Sequence, residues 1–208
     1  MTSKGPSPVD PQPAETSVSR RSLLTTLGVA GVASAAAVAI ATPASASPPY
    51  PTTEADRDLL SRTLRVELAA KRLYDDAVAS GIGEEAAAVA EVFGGNHEAY
   101  ADQMAAITGI SADTFDEAFY EQRAAAFASG DVVEFATAAW ELENSMAATY
   151  IDLFNDFESI DAHTVVSSIV VVNGRMATVL ADLAGVTAFG EVLRPEAEII
   201  TLSEGENA

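Results

Sequence analysis

Six residues in this chain have types and spacings suited to handling metal ions or buried protons: Glu67, His97, Tyr100, Glu143, Asn173 and Met176. Glu67 precedes His97 by the same distance, 30 residues, that Glu143 precedes Asn173. Tyr100 follows His97 by three, and Met176 follows Asn173 by three. In a helix that spacing puts both members of a pair on one face. Carboxylate and imidazole are good ligands for iron and similar transition metals, and a phenolate suits ferric iron. An amide is a weak ligand, and the Met176 thioether suits softer metals. The same groups can instead hold one another. Glu67 can pair with His97 as an ion pair or a shared proton. Glu143 can be held by Asn173 or Tyr100, or be protonated, because a buried carboxylate left charged and alone costs several kcal/mol. His97, Tyr100 and Asn173 then act as polar cross-links between helices and need no metal.

The elements that must carry these residues read as helices. Thr53 and Asp56 offer a capping start, and Leu59, Leu60, Leu64, Leu68 and Leu73 recur at steps of a helical turn. This first helix should end near Ser80-Gly81. A second is expected from about Glu84 to Thr108, closing at Gly109, and it carries Gly94 and Gly95, which weaken a helix unless they serve close packing. A third is expected over 132–157 and a fourth over 162–184, closing at Gly185.

The two halves repeat. A shift of 76 residues carries Glu67 onto Glu143, Tyr74 onto Tyr150, His97 onto Asn173, Tyr100 onto Met176, Ala101 onto Ala177, Met104 onto Leu180, Ile107 onto Leu183 and Gly109 onto Gly185. Each half is therefore expected to be one helical hairpin. The midpoint of Glu67 and His97 falls in Gly81-Ile82-Gly83, and that of Glu143 and Asn173 in Phe157-Glu158-Ser159. Residues equally far from a hairpin turn stand side by side, here about 22 Å from it. Two packed hairpins would bring Glu67, His97, Glu143 and Asn173 to one level. Residues 110–131 are too many for a tight turn, and Phe115, Phe119, Ala124 and Phe127 predict a short helix inside a long crossover.

Over residues 54–185 this pattern resembles the ferritin-like superfamily: all-α, a four-helix bundle of two hairpins with one long crossover between helices two and three. In that family helices one and three each supply a Glu, and helices two and four each supply Glu-x-x-His, around a pair of metal ions. Glu67 and Glu143 match the single-Glu positions. His97-Glu98-Ala99-Tyr100 and Asn173-Gly174-Arg175-Met176 stand where the two Glu-x-x-His motifs belong, so four of the six ligands have changed. The resemblance implies a degenerate dimetal site. The leading expectation is a non-catalytic structural or interaction module, with no cofactor. The alternative is a single-metal protein, holding one iron or other transition-metal ion at Glu67, His97 and Glu143 with storage or oxidation chemistry. A third reading is a pocket protein, with a small polar cavity where the metals were.

The remaining features are simpler. Tyr74 and Tyr150 are expected in the core with bonded hydroxyls. Trp140 is expected to pack, Glu141 to face outward and His163 to be solvated. No glycine-rich nucleotide loop is present. The chain has no cysteine, which excludes disulfides, thiolate metal sites and iron–sulfur clusters.

Residues 1–46 read as a signal peptide with a disordered start. Arg20-Arg21 precede an apolar stretch from about Leu23 to Ala41, and Ala44-Ser45-Ala46 offers a cleavage site. The paired arginines resemble the twin-arginine class. The expected location is extracellular or in the cell envelope, and membrane contact is expected only if the leader is kept as an anchor. Residues 47–53 form a linker and 186–208 a tail, with Ile199-Ile200 against the bundle. The net charge is −20, and removing the leader takes away Lys4, Arg20 and Arg21 against Asp10 and Glu15, leaving about −21. Such a surface repels phosphate backbones, so no nucleic-acid partner is expected. A homodimer is compatible with the architecture.

Overall fold

The computed structural model describes residues 52–194 and 196–203. The leader expected over 1–46, most of the linker, and Glu204 and Glu206 lie outside the described residues. Among the described residues the chain is all-α, with four long helices and three short ones.

Helix α1 (Glu54–Ser80) begins with the capping box that its sequence predicts: the Thr53 hydroxyl accepts from the Asp56 amide, and the Asp56 carboxylate accepts from the Thr53 amide. It ends at Gly81, whose φ of 81° is open to glycine at little cost. Helix α2 (Glu84–Thr108) returns alongside. Thr52 donates to the Ile107 carbonyl, Thr63 lies 3.5 Å from the Met104 sulfur, and Glu67 meets His97. One helix advances as the other retreats, so the pair is antiparallel. Gly94 is buried in this seam, and a Cβ there would stand 3.2 Å from Tyr74 Cβ. Gly95, by contrast, faces open space.

The crossover holds two short helices, α3 (Glu117–Glu121) and α4 (Ala124–Phe127), where one is expected from the sequence. It runs the length of α1. The Asp116 amide donates to the Arg65 carbonyl, the Tyr120 hydroxyl donates to Asp76, and Gly130 reaches Ser80. The Arg72 guanidinium lies about 5 Å from both the Phe115 and Tyr120 rings. Phe119 and Phe127 are buried.

Helix α5 (Val132–Leu153) is capped by Asp131, and α6 (Ile160–Leu183) by Ser159. Their junction differs from the expected 157/162. The chain leaves the helix at Phe154, and the Ser159 hydroxyl accepts from the Ala162 amide, so capping chemistry moves the start of α6 two residues earlier. Helix α5 runs antiparallel to α1: Asp56 accepts from the Glu158 and Ser159 amides, Glu67 meets Tyr150, and Tyr74 meets Glu143.

After Gly185 a short α7 (Phe189–Val192) leads into a tail that is strapped onto α5. Trp140 donates to the Val192 carbonyl, Asn144 accepts from the Arg194 amide, and Thr149 accepts from the Ile200 amide. Ile200 is buried and Ile199 is half exposed. Trp140 packs and Glu141 is exposed. His163, expected in solvent, is half-buried, with Nδ1 bonded to the Ser159 carbonyl and its ring 4.7 Å from that of Phe154.

A buried carboxylate–imidazole–carboxylate layer

Glu67 and Tyr74 sit two turns apart on the inner face of α1, and Glu143 and Tyr150 sit two turns apart on the inner face of α5. Because α1 and α5 are antiparallel, a level that puts Glu67 beside Tyr150 also puts Tyr74 beside Glu143. Both contacts form. Tyr74 donates to Glu143 Oε1 at 2.6 Å, and Tyr150 donates to Glu67 Oε1. Each tyrosine of one repeat thus holds the glutamate of the other.

His97 closes the layer. Its Nδ1 lies 2.6 Å from Glu67 Oε2, and its Nε2 lies 3.1 Å from Glu143 Oε1. Glu67, His97 and Glu143 have no exposed surface. A neutral imidazole has one N–H and would turn a lone pair toward one carboxylate. With an oxygen acceptor on each nitrogen, the form that satisfies both contacts is the imidazolium, which donates from both. Burial opposes that charge, but attraction by Glu143 and then Glu67, with their hydrogen bonds, outweighs it and raises the His97 pKa to about 10. Burial, the charge of Glu143 and the bond to it push the Tyr74 hydroxyl well above its usual range. Burial and Glu67 do the same to Tyr150. Both phenols therefore stay protonated and remain donors. Two carboxylates and one imidazolium leave the layer with one net negative charge.

Packing fixes the ring. Tyr74 stacks on His97 with centroids 5.4 Å apart, and Tyr100 meets it edge-on at 6.4 Å. Tyr74 is itself held edge-to-face by Phe93, Phe127 and Phe135, so the crossover and both hairpins brace the site. Gly94 allows α2 to approach Tyr74 one turn before His97.

The structure thus brings Glu67, His97 and Glu143 into contact. Glu143 is held by His97 and Tyr74 rather than by Asn173 or Tyr100. Tyr100 is half-buried, and its hydroxyl is raised above its usual range, by burial first and then by Glu67 and Glu143. Met176 is buried and accepts weakly from Asn96, 3.6 Å away. Asn173, the counterpart of His97, is fully buried, and no described protein group bonds to either end of its amide. Glu143 Oε2 is likewise buried without a partner. The role of the two tyrosines is what sequence reasoning missed. Its signal was present in the equal spacing from Glu67 to Tyr74 and from Glu143 to Tyr150.

A metal ion fits this arrangement poorly. Both nitrogens of His97 and both oxygens of Glu67 are already engaged with other side chains. Glu143 Oε2, the Asn173 amide and the Tyr100 hydroxyl are left unengaged among the described residues, a sparse set for iron that contains a single carboxylate oxygen. As arranged, the layer stores one proton between two carboxylates and links α1, α2 and α5. Compared with known protein families, with curated proteins and with solved structures, the chain matches none of them.

Proposed function

We propose that the chain is an exported ferritin-like four-helix bundle that serves as a non-catalytic structural or interaction module. Its central layer is an ionic cross-link standing where the family it resembles keeps two metal ions. One observation carries the reading: the His97 ring sits between Glu67 and Glu143 with a carboxylate on each nitrogen. One imidazolium, donating through both of its N–H groups, offsets part of the carboxylate charge that a dimetal protein would offset with cations. The crossover along α1 and the exchange of Tyr–Glu contacts between repeats support the ferritin-like part. Export by the twin-arginine route, to the cell envelope or beyond, rests on Arg20-Arg21 and the apolar stretch after them.

The test is metal analysis of full-length protein folded in the cytoplasm and purified without chelator, beside Glu67→Gln and Glu143→Gln variants. The expected result is far less than one equivalent of any transition metal, and a thermal midpoint unmoved by chelator or added ferrous iron. Stoichiometric iron that disappears in either variant would overturn the proposal. It would favour the second reading, one iron or related ion at Glu67, His97 and Glu143 with storage or oxidation chemistry. That reading draws on the unpartnered Glu143 Oε2 and Asn173, and it requires His97 to give up a proton.

A further inference from the structure

A polar cleft of about 240 Å³ lies between the crossover, α5 and the tail. Its walls carry Asp116 and Arg123 from the crossover, Ser145 from α5, and Glu198, Thr201 and Ser203 from the tail. The tail wall is fixed from behind, because Ile200 is buried and its amide donates to Thr149. Arg123 is held too. Its Nη1 donates to the Phe119 carbonyl at 3.2 Å, and its guanidinium lies 4.0 Å from the centre of the Phe119 ring. The rest of its N–H fork has no acceptor, and Arg123 makes no ion pair, among the described residues. Asp116 is 2% exposed. Its Oδ1 accepts from the Phe119 amide, and no described group bonds to Oδ2. One cleft thus holds a positioned guanidinium and a buried carboxylate oxygen, both short of partners, which is costly unless something else meets them.

Size and charge select the occupant. At about 30 Å³ for each water-sized unit, the cleft holds a molecule of about eight non-hydrogen atoms. A guanidinium is planar, always charged and shaped for a carboxylate. Burial draws the Arg123 pKa down, and the charges of Glu198 and then Asp116 act against that, so both carboxylates bear on the same centre. A plain anion would satisfy Arg123 and face two carboxylates, while a plain cation would leave Arg123 unmet. A molecule with both charges on neighbouring atoms meets both demands. We infer that the cleft binds a small zwitterionic α-amino acid, its carboxylate on Arg123, its ammonium on Asp116 and Glu198, and a short polar side chain among the hydroxyls of Ser145, Thr201 and Ser203. A second carboxylate on the ligand is disfavoured, because the cleft already carries more acid than base. The cleft is partly open to solvent, so the expected dissociation constant is about 0.1–1 mM. It shares no residue with the Glu67–His97–Glu143 layer, and the two stand or fall separately.

The test uses the full chain and ligand-observed saturation-transfer NMR, with free serine as the probe. Serine should bind in the stated range. Acetate and ethylammonium, which each carry one of its charges, should bind at least about tenfold more weakly, and so should free aspartate. Arg123→Gln and Glu198→Gln should each weaken serine at least about tenfold. Far-UV circular dichroism checks that the variants fold. Glu198 is exposed on the tail, so Glu198→Gln carries the test if Arg123→Gln does not fold. No transfer to serine up to about 20 mM would overturn the inference. Acetate binding as well as serine would make this a plain anion site, and ethylammonium binding as well would make it a nonspecific acidic surface. Either result would sink the proposal, as would serine binding unchanged by Glu198→Gln.

Discussion

The Tyr74 hydroxyl lies 2.6 Å from Oε1 of Glu143, a residue 69 positions further along the chain. The repeat makes its counterpart, Tyr150 to Glu67, run the opposite way between the same two helices. His97 ties the two contacts together, and Asn173, in its mirrored place, does not. The layer is therefore symmetric in its frame and asymmetric in its charge, and that asymmetry makes its members separable by mutation.

His97→Leu strands two buried carboxylates at once. Removing one partner of a buried ion pair costs about 3–5 kcal/mol. The expected loss in chemical denaturation is in that range, and it should shrink on acidification, because protonation removes the stranded charges. A denaturation midpoint within error of the parent would mean that Glu67 and Glu143 are not neutralised by this ring.

The two tyrosines should differ. Tyr150→Phe leaves Glu67 Oε1 without a donor, whereas Tyr74→Phe leaves Glu143 Oε1 still bonded to His97. A hydrogen bond to a charged group is worth about 1.5–3 kcal/mol, so Tyr150→Phe is expected near the top of that range and Tyr74→Phe near the bottom. The ring packing of Tyr74 on Phe93, Phe127 and Phe135 survives in the phenylalanine variant. Denaturant titration of both variants reads the order directly, and the reverse order would contradict the donor assignment.

The four long helices, their closing glycines and the 76-residue repeat were legible because periodicity and turn chemistry are local. The level at which Glu67, His97 and Glu143 meet was legible because hairpin arithmetic needs only the turn positions. What Glu143 bonds was not. It depends on whether α1 and α5 pair directly, and no local signal fixes which helices of two hairpins become neighbours. The tail was legible in part: Ile199-Ile200 reads as lying against the bundle, and Ile200 is buried, but Trp140, Asn144 and Thr149 hold the tail through backbone groups of Val192, Arg194 and Ile200, and backbone groups carry no sequence signature.

The layer also sets a pH dependence. His97 has a pKa of about 10 in the folded chain, against an ordinary value near 6.5 when unfolded. The folded state binds the proton more tightly, so the stabilisation is fully present below about pH 6.5 and declines as pH rises toward about 10. In that window the slope approaches about 1.4 kcal/mol per pH unit from this group. Denaturation of the native chain and of His97→Leu between pH 7 and 9.5 should show the parent losing stability faster. Parallel curves would mean that His97 is not charged in the folded state.

The adjacent glycines of α2 should respond in opposite directions. Gly95→Ala meets open space and recovers the helix propensity that glycine forfeits, about 1 kcal/mol of stabilisation. Gly94→Ala places its methyl 3.2 Å from Tyr74 Cβ, and Tyr74 is pinned by Glu143 and three phenylalanines, so that neighbour cannot give way. Overpacking there should cost about 1–3 kcal/mol. Thermal denaturation of the two single variants separates them, and stabilisation by both would show that the α1–α2 seam is looser than its contacts imply.

Asn173 provides the sharpest discrimination between a packed layer and a liganded one. Its amide is fully buried, and neither end meets a protein partner among the described residues. An amide without partners carries a desolvation penalty, whereas leucine of similar size carries none. If only protein surrounds it, Asn173→Leu should stabilise the fold by about 1–2 kcal/mol and leave the pH dependence set by His97 intact. If Asn173 and Glu143 Oε2 together hold a water or a cation, the same substitution should destabilise by about 1–3 kcal/mol, because Glu143 Oε2 loses its bridging neighbour. The direction in which one denaturation midpoint shifts therefore decides whether Asn173, the counterpart of His97 in the repeat, is a relic or part of an occupied site.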